Sequence, residues 1–181
     1  MRLVALLRGI NVGGRSMIKM AELRSAFESL GFKDVLTYIQ SGNVVFTSDA
    51  RRAGLASKIE KGLESKFGFR GRVFVYSANE LEKAAANNPF EPERRDKEQY
   101  SQLMFLERKP TAERWDALLA MAGDEYRFAI RGKVVYFAYA RSFAGRRRSL
   151  DIEKVLAVAG TARTWKVVDK LIGLARSDSA G

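Results

Sequence analysis

A chain of 181 residues, 46% hydrophobic and 29% charged, can bury a sizeable core and argues against general disorder. It has no cysteine and no histidine, which removes disulfides, thiolate and imidazole chemistry and the usual zinc or copper ligand sets. The formal charge of +11 favours anionic partners, and the basic surplus is uneven: 14 basic against 8 acidic residues over 1–90, nine of each over 91–140, nine against four over 141–181.

No apolar run approaches the ~20 residues that span a bilayer, and MRLVALLRG turns charged too soon for a secretory segment, so a cytoplasmic protein is expected. No resident cofactor or metal is expected; an oxygen-bound magnesium held through a substrate phosphate stays open.

Arg2 to Leu7 reads as a strand whose unbroken LVALL suits a place buried on both faces. A glycine-rich loop follows. Met20, Leu23, Phe27 and Leu30 then recur at helical spacing, with Gly31 as C-cap. Val35 to Thr47 predicts a hairpin turning at Gly42-Asn43 with Ser41 opposite Val44, which puts Val35, Thr37, Ile39, Val44 and Phe46 on the core face.

A second helix opens near Asp49 and carries Leu55, Ile59, Leu63 and Phe67 before Gly68; Arg72 to Tyr76 is a strand. Ser77-Ala78-Asn79-Glu80 is a capping-box pattern for a helix to about Asn87. Glu91 to Gln99 is a charged connection without periodicity.

The order then restarts. Gln102 to Glu107 is a strand, and Thr111 caps a helix with Trp115, Leu118, Leu119 and Ala122. Tyr126 to Tyr139 is a hairpin with Arg131 opposite Val134, burying an aromatic face of Tyr126, Phe128, Ile130, Val135, Phe137 and Tyr139 and leaving Tyr136 on the other side. A basic loop leads to a helix from about Ser149 that ends at Gly160, and a last helix spans about Thr164 to Ala175.

The expectation is an α+β protein of two ferredoxin-like, split βαβ halves with mainly antiparallel sheet, packed as one unit. The first half with its connecting helix takes 1–90, the charged connection 91–100, the second half with the C-terminal helix 101–176, and a tail 177–181.

The loop RGINVGGRS contains the spacing of a phosphate-binding P-loop, with Arg15 where lysine belongs. A P-loop needs a parallel sheet and an acidic strand end for its metal, and hairpins supply neither. What remains is a long loop beside a short counterpart, Arg108-Lys109-Pro110, bearing Arg8, Asn11, Arg15 and Ser16, groups suited to an anion or polar ligand. The alternative is a turn whose glycines serve only backbone geometry.

LLRGINVGG, TYIQSGNVVF and TARTWKVVDKL resemble the signature segments of a bacterial family known as domain of unknown function 1697. The resemblance implies an α+β protein without an established activity, and a focus on Arg8, Gly9, Asn11, Gly13, Gly14, Tyr38, Gln40, Ser41, Gly42 and Asn43, with Thr161, Arg163 and Trp165. Two positions depart from the family pattern: Thr164 stands where asparagine is common, and Ser149-Leu150-Asp151 replaces serine-lysine-leucine.

The final helix pairs an apolar stripe, Trp165, Val168 and Ile172, with a basic side of Arg163, Lys166 and Lys170, and Arg146-Arg147-Arg148 adds a compact positive patch. These cations make a nucleic-acid or protein interaction module the competing reading. RGKVVYFAY lacks the aromatics of an RNA-recognition motif, since Lys133 and Val135 occupy the stacking positions. A nucleotide-using enzyme is a third reading: a Ser16–Lys19 pair is conceivable, but no spacing singles out a catalytic set.

The sequence therefore points to a small anionic ligand. Arg8 and Arg15 would pair its charge, Asn11 and Gln40 would orient it, and Gly9, Gly13 and Gly14 N–H groups would complete the cradle. Ser16, Tyr38, Ser41, Asn43, Arg163 and Trp165 line the rest.

Overall fold

β1 (Arg2–Leu7) is the strand that the first half is built on, and it pairs antiparallel with a neighbour on each side. Five of its six residues are buried, as LVALL predicts. The computed structural model describes residues 1–11, 17–90, 99–122, 126–140 and 150–177.

α1 (Met20–Ser29) buries Leu23, Ala26 and Phe27, and Glu22 accepts from the Lys19 N–H at 3.3 Å. β2 (Lys33–Tyr38) and β3 (Asn43–Thr47) form the hairpin, but not with the predicted turn. Tyr38 lies opposite Asn43 and Thr37 opposite Val44, so residues 39–42 make a four-residue connection. The Asn43 amide closes it, donating to Tyr38 O and Ser41 Oγ at 3.0 Å each. Relative to the expected register the partner of Val44 moves by four residues. An even shift keeps every side chain on its face, so Val35, Val44 and Phe46 stay in the core. Ile39 does not: it sits in the turn at φ 48° and is 47% exposed.

α2 (Leu55–Phe67) starts six residues after Asp49, whose carboxylate is held by Lys33 Nζ at 2.8 Å. Leu55, Ile59 and Leu63 are buried on schedule. β4 (Val73–Ser77) leads into α3 (Ala78–Ala86) through the predicted capping box: Glu80 N–H donates to Ser77 Oγ, and Ser77 N–H donates back to Glu80 Oε2. The sheet order is β2-β3-β1-β4.

The second half runs β5 (Gln99–Leu106), α4 (Ala112–Ala120), β6 (Tyr126–Arg131), β7 (Val134–Ala140), α5 (Ile152–Leu156) and β8 (Gly160–Thr164). Its order, β6-β7-β5-β8, is that of the first sheet with each strand replaced by its counterpart, and all its pairs are antiparallel. Thr111 Oγ1 accepts from the Arg114 N–H, and Arg131 lies opposite Val134 as predicted. α6 (Trp165–Arg176) follows.

Four expectations need correction here. The sequence pattern places no element between the helix end at Gly160 and the helix start near Thr164, whereas GTART forms β8, a strand at the sheet edge. α5 ends at Leu156 rather than at Gly160, because Ala157 turns left-handed, and its N-terminus is capped by Asp151, which accepts from the Lys154 N–H at 3.1 Å. Leu119 points outward, 41% exposed. The aromatic face of β6 and β7 is only part-covered: Val135 and Phe137 are buried and Phe128, Ile130 and Tyr139 are partly so. Tyr136, on the other face, is fully buried and donates its hydroxyl to Ala84 O at 2.7 Å.

Two compact units result, Met1–Lys83 with Asp169–Gly181, and Ala84–Val168. The first has a core of both helices against one sheet face, Leu3, Ala5, Leu7, Phe27, Phe46, Ile59 and Leu63 among its members. The last turns of α6 belong to this unit: Arg176 binds Glu82 Oε2 at 2.6 Å, and Arg2 Nε donates to Leu174 O at 3.1 Å. The core of the second unit gathers Met104, Leu106, Leu118, Val135, Phe137 and Leu156.

Candidate functional site

The loop predicted as a site begins where the β1 ladders run out. Leu7 N–H donates to Gly42 O at 2.8 Å and Arg8 N–H to Arg72 O at 2.9 Å, so both ladders continue just past the strand. The register of β1 with β3 sets Arg8 beside Ser41, and that with β4 sets it beside Arg72. A polar row, Ser41–Arg8–Arg72, thus crosses the end of the first sheet.

Asn11 holds the neck of the loop. At φ 55° its side chain accepts from the Ile18 N–H at 2.8 Å and donates to Ile18 O at 3.0 Å, a side-chain copy of a strand pair that ties the two ends of the loop. The same amide donates to Gln40 O at 3.1 Å, which joins the neck to the β2–β3 turn. Ile10 and Ile18 are buried beneath it. Both amide protons of Asn11 are therefore committed to backbone, which makes it a positioning residue.

Two glycines let the flanking loops approach. Gly42 has φ 74°, and a Cβ there would lie 2.4 Å from Ile10 Cγ2 and 2.8 Å from Leu7 Cβ. At Gly71 a Cβ would lie 2.4 Å from Arg8 O and 2.1 Å from the Phe69 ring. Beyond Gly71 a cleft of about 220 Å³ opens between the end of α2 and β4, lined by Glu60, Glu64, Phe69, Arg70, Gly71 and Arg72. Glu64 pairs with Arg70 at 2.9 Å, and Glu60 accepts from the Val73 N–H at 2.9 Å while its other oxygen is 3.9 Å from Arg72.

The structure brings Arg8, Gly9, Asn11, Gln40 and Ser41 together at this sheet end, with Gln40 and Ser41 exposed and Arg8 half-buried. Tyr38 and the fully buried Asn43 form the base of the turn. Gly13, Gly14, Arg15 and Ser16 lie outside the described residues, as do Arg146, Arg147 and Arg148. Arg163 and Trp165 belong to the second unit, both buried, at the end of β8 and the start of α6. Arg163 donates to Thr161 Oγ1 at 2.7 Å and Ala162 O at 2.8 Å, and burial pulls its pKa down to about 10, so it stays cationic at neutral pH. Lys166 and Lys170 are exposed.

Arg70, Gly71 and Arg72 were missed by sequence reading. The signal that could have found Arg72 is register: if Leu7 pairs with Val73, the next residue of each strand pairs too. Among the described residues no group of His, Cys, Asp or Glu is placed to hold a metal, and no helix is long and apolar enough to cross a membrane.

The whole fold is similar to that of the conserved bacterial protein SP0830 from Streptococcus pneumoniae, with a TM-score of 0.73, 25% identity, and coverage of 97% of this chain and 98% of that one. No curated protein matches the sequence. The family described as "Protein of unknown function (DUF1697)" matches residues 1–136, a span that holds both N-terminal signature segments and stops short of TARTWKVVDKL. The chain belongs to that family.

Proposed function

We propose that the protein binds a small anionic ligand, phosphorylated or carboxylated, in a groove built on the RGINVGGRS loop at the end of the first sheet. The observation that supports this is the neck: three Asn11 side-chain bonds and the close seat of Ile10 on Gly42 hold the base of a long polar loop. A loop serving only as a connection has no need of such a base.

In this reading Arg8 and Arg15 pair the ligand's charge, Gly9, Gly13 and Gly14 offer backbone N–H groups, and Ser16, Gln40 and Ser41 add hydrogen bonds. Asn11, Tyr38 and Asn43 position the two loops. Arg163 and Trp165, both buried in the second unit, are given no part in this groove. The reading is one of binding; it assigns no reaction.

A thermal-shift screen tests it. Anionic metabolites and nucleotides should raise the melting temperature of the wild type and raise that of Arg15→Ala less. Unchanged melting in both proteins removes the reading. The net charge of +11 favours a second one. Salt-sensitive RNA or DNA binding that drops on neutralising Arg146, Arg147 and Arg148, or Lys166 and Lys170, while ignoring Arg15, would make the protein a basic nucleic-acid-binding module instead.

A further inference from the structure

The β2–β3 turn sets a residue against its own backbone. Ile39 is β-branched, yet it is left-handed at φ 48°, a region that branched side chains enter only under strain. Its side chain is 47% exposed, so burial does not offset that strain. The conformation is held from both sides: Tyr38 O accepts from the Asn43 amide at 3.0 Å, and Gln40 O accepts from the Asn11 amide at 3.1 Å. The matching hairpin of the second half has no such residue and turns through Gly132, at φ 60°, and Lys133.

Met17 lies at the same neck. At 63% it is the most exposed large hydrophobic side chain among the described residues, and it directly precedes Ile18, whose N–H and carbonyl are both bonded to Asn11. One nitrogen, Asn11 Nδ2, thus donates to the carbonyls of the two residues that follow Met17 and Ile39. Exposed apolar residues scattered singly over a surface need no explanation. These two flank one clamp, and one of them is strained.

Resting on the ligand-binding reading of the loop, we infer that Met17 and Ile39 form an apolar lip at its base, and that the ligand is an amphipathic anion, a phosphate or carboxylate carrying an apolar body. Strained residues persist where the surrounding structure fixes them and cluster at ligand-binding sites. The rigid Ile39 offers a fixed apolar surface, while the unbranched Met17 adapts to the shape of what it meets. The cations of the loop answer the charged end of such a ligand, and the lip answers the rest. A wholly hydrophilic anion would gain nothing from either side chain.

Calorimetric titration at neutral pH with two matched pairs, phenyl phosphate against inorganic phosphate and hexanoate against acetate, decides it on the wild type, Ile39→Asn, Ile39→Leu, Met17→Gln and Arg15→Ala. In at least one pair the apolar member should bind the wild type more tightly. Ile39→Asn and Met17→Gln should each weaken that probe about threefold or more, whereas Ile39→Leu should keep its affinity. Asparagine tolerates the left-handed backbone, so unliganded Ile39→Asn should melt about 2–4 °C above the wild type while binding worse. A lower melting temperature in Ile39→Asn would mean that Ile39 serves the fold, and it overturns the inference. So does an apolar probe held equally by the wild type and either polar variant, or the absence of any preference in both pairs. If no probe binds the wild type the inference fails outright. The loop reading survives each of these failures where anionic metabolites still shift melting in an Arg15-dependent way.

Discussion

Leu7 and Leu106 leave their strands into crossovers that begin alike and diverge within one residue. Both leucines are buried and both donate to the hairpin on one side, while the next residue donates to the strand on the other. The second crossover then reaches α4 through residues 107–111, with Pro110 buried and Thr111 capping the helix. The first takes residues 8–19, and it needs an Asn11 clamp, a bare Gly42 and a bare Gly71 to hold its base. The short version suffices to connect strand to helix, so the extra apparatus of the long one supports the proposal that the loop binds a ligand.

The widest gap between the two regions should appear at their turn glycines. Gly42→Ala puts a Cβ into Ile10 and Leu7 and keeps a left-handed φ of 74°; Gly132→Ala, at φ 60°, meets nothing within 4 Å. Strain plus overpacking should cost about 3 kcal/mol at Gly42, and strain alone about 1 kcal/mol at Gly132. Urea denaturation measures both, and equal losses would mean that the loop neck is not packed as described.

At the two crossovers themselves, Asn11→Ala should cost about 2 kcal/mol, since the Ile18 N–H and the carbonyls of Ile18 and Gln40 lose their partner. Thr111→Ala removes one cap and should cost about 1 kcal/mol. Hydrogen exchange separates the causes: in Asn11→Ala the Ile18 amide should exchange faster while those of Leu7 and Arg8, bonded to backbone, do not change. An Ile18 amide unaffected by the substitution would rule out the clamp.

Much of this architecture can be read from the chain because its signals are local. The capping box at Ser77, the cap at Thr111 and the two-residue turn after Arg131 each depend on residues a few positions apart. The β2–β3 turn misleads, since Gly42-Asn43 imitates a tight hairpin while the Asn43 amide closes a wider one; the core face survives only because the slip is even. β8 escapes because GTART has no apolar alternation, its burial coming from its pairing with β5. The site divides in the same way. Arg8, Gly9 and Asn11 stand out in their own loop, but Arg72 looks like an ordinary strand entry. Its backbone pairing with Arg8, 64 positions away in the chain, is one that no short window contains.

The smallest expected effect separates two helix caps by their chemistry. Glu80 accepts from Ser77 N–H and Oγ at 2.8 Å each and from Arg52 at 2.5 Å. Its burial works to raise its pKa, but the Arg52 and Ser77 bonds outweigh this and hold the carboxyl below its ordinary value. A carboxylate depressed in the folded state stabilises above its unfolded pKa, about 4.3, and that contribution disappears as pH falls through the lower folded value. Glu80→Gln keeps a capping acceptor and removes the charge. With the side chain 42% exposed, solvent screening limits the loss to a few tenths of a kcal/mol at pH 7. That loss should shrink as pH falls below the unfolded value and through the lower folded one, because the wild type becomes protonated as well. The deficit of Thr111→Ala, a neutral hydroxyl cap, should stay level over the same range. Urea midpoints at pH 7, 5 and 3 make the comparison, and a Glu80→Gln deficit as flat as that of Thr111→Ala would show that the charge of Glu80 contributes nothing to its cap.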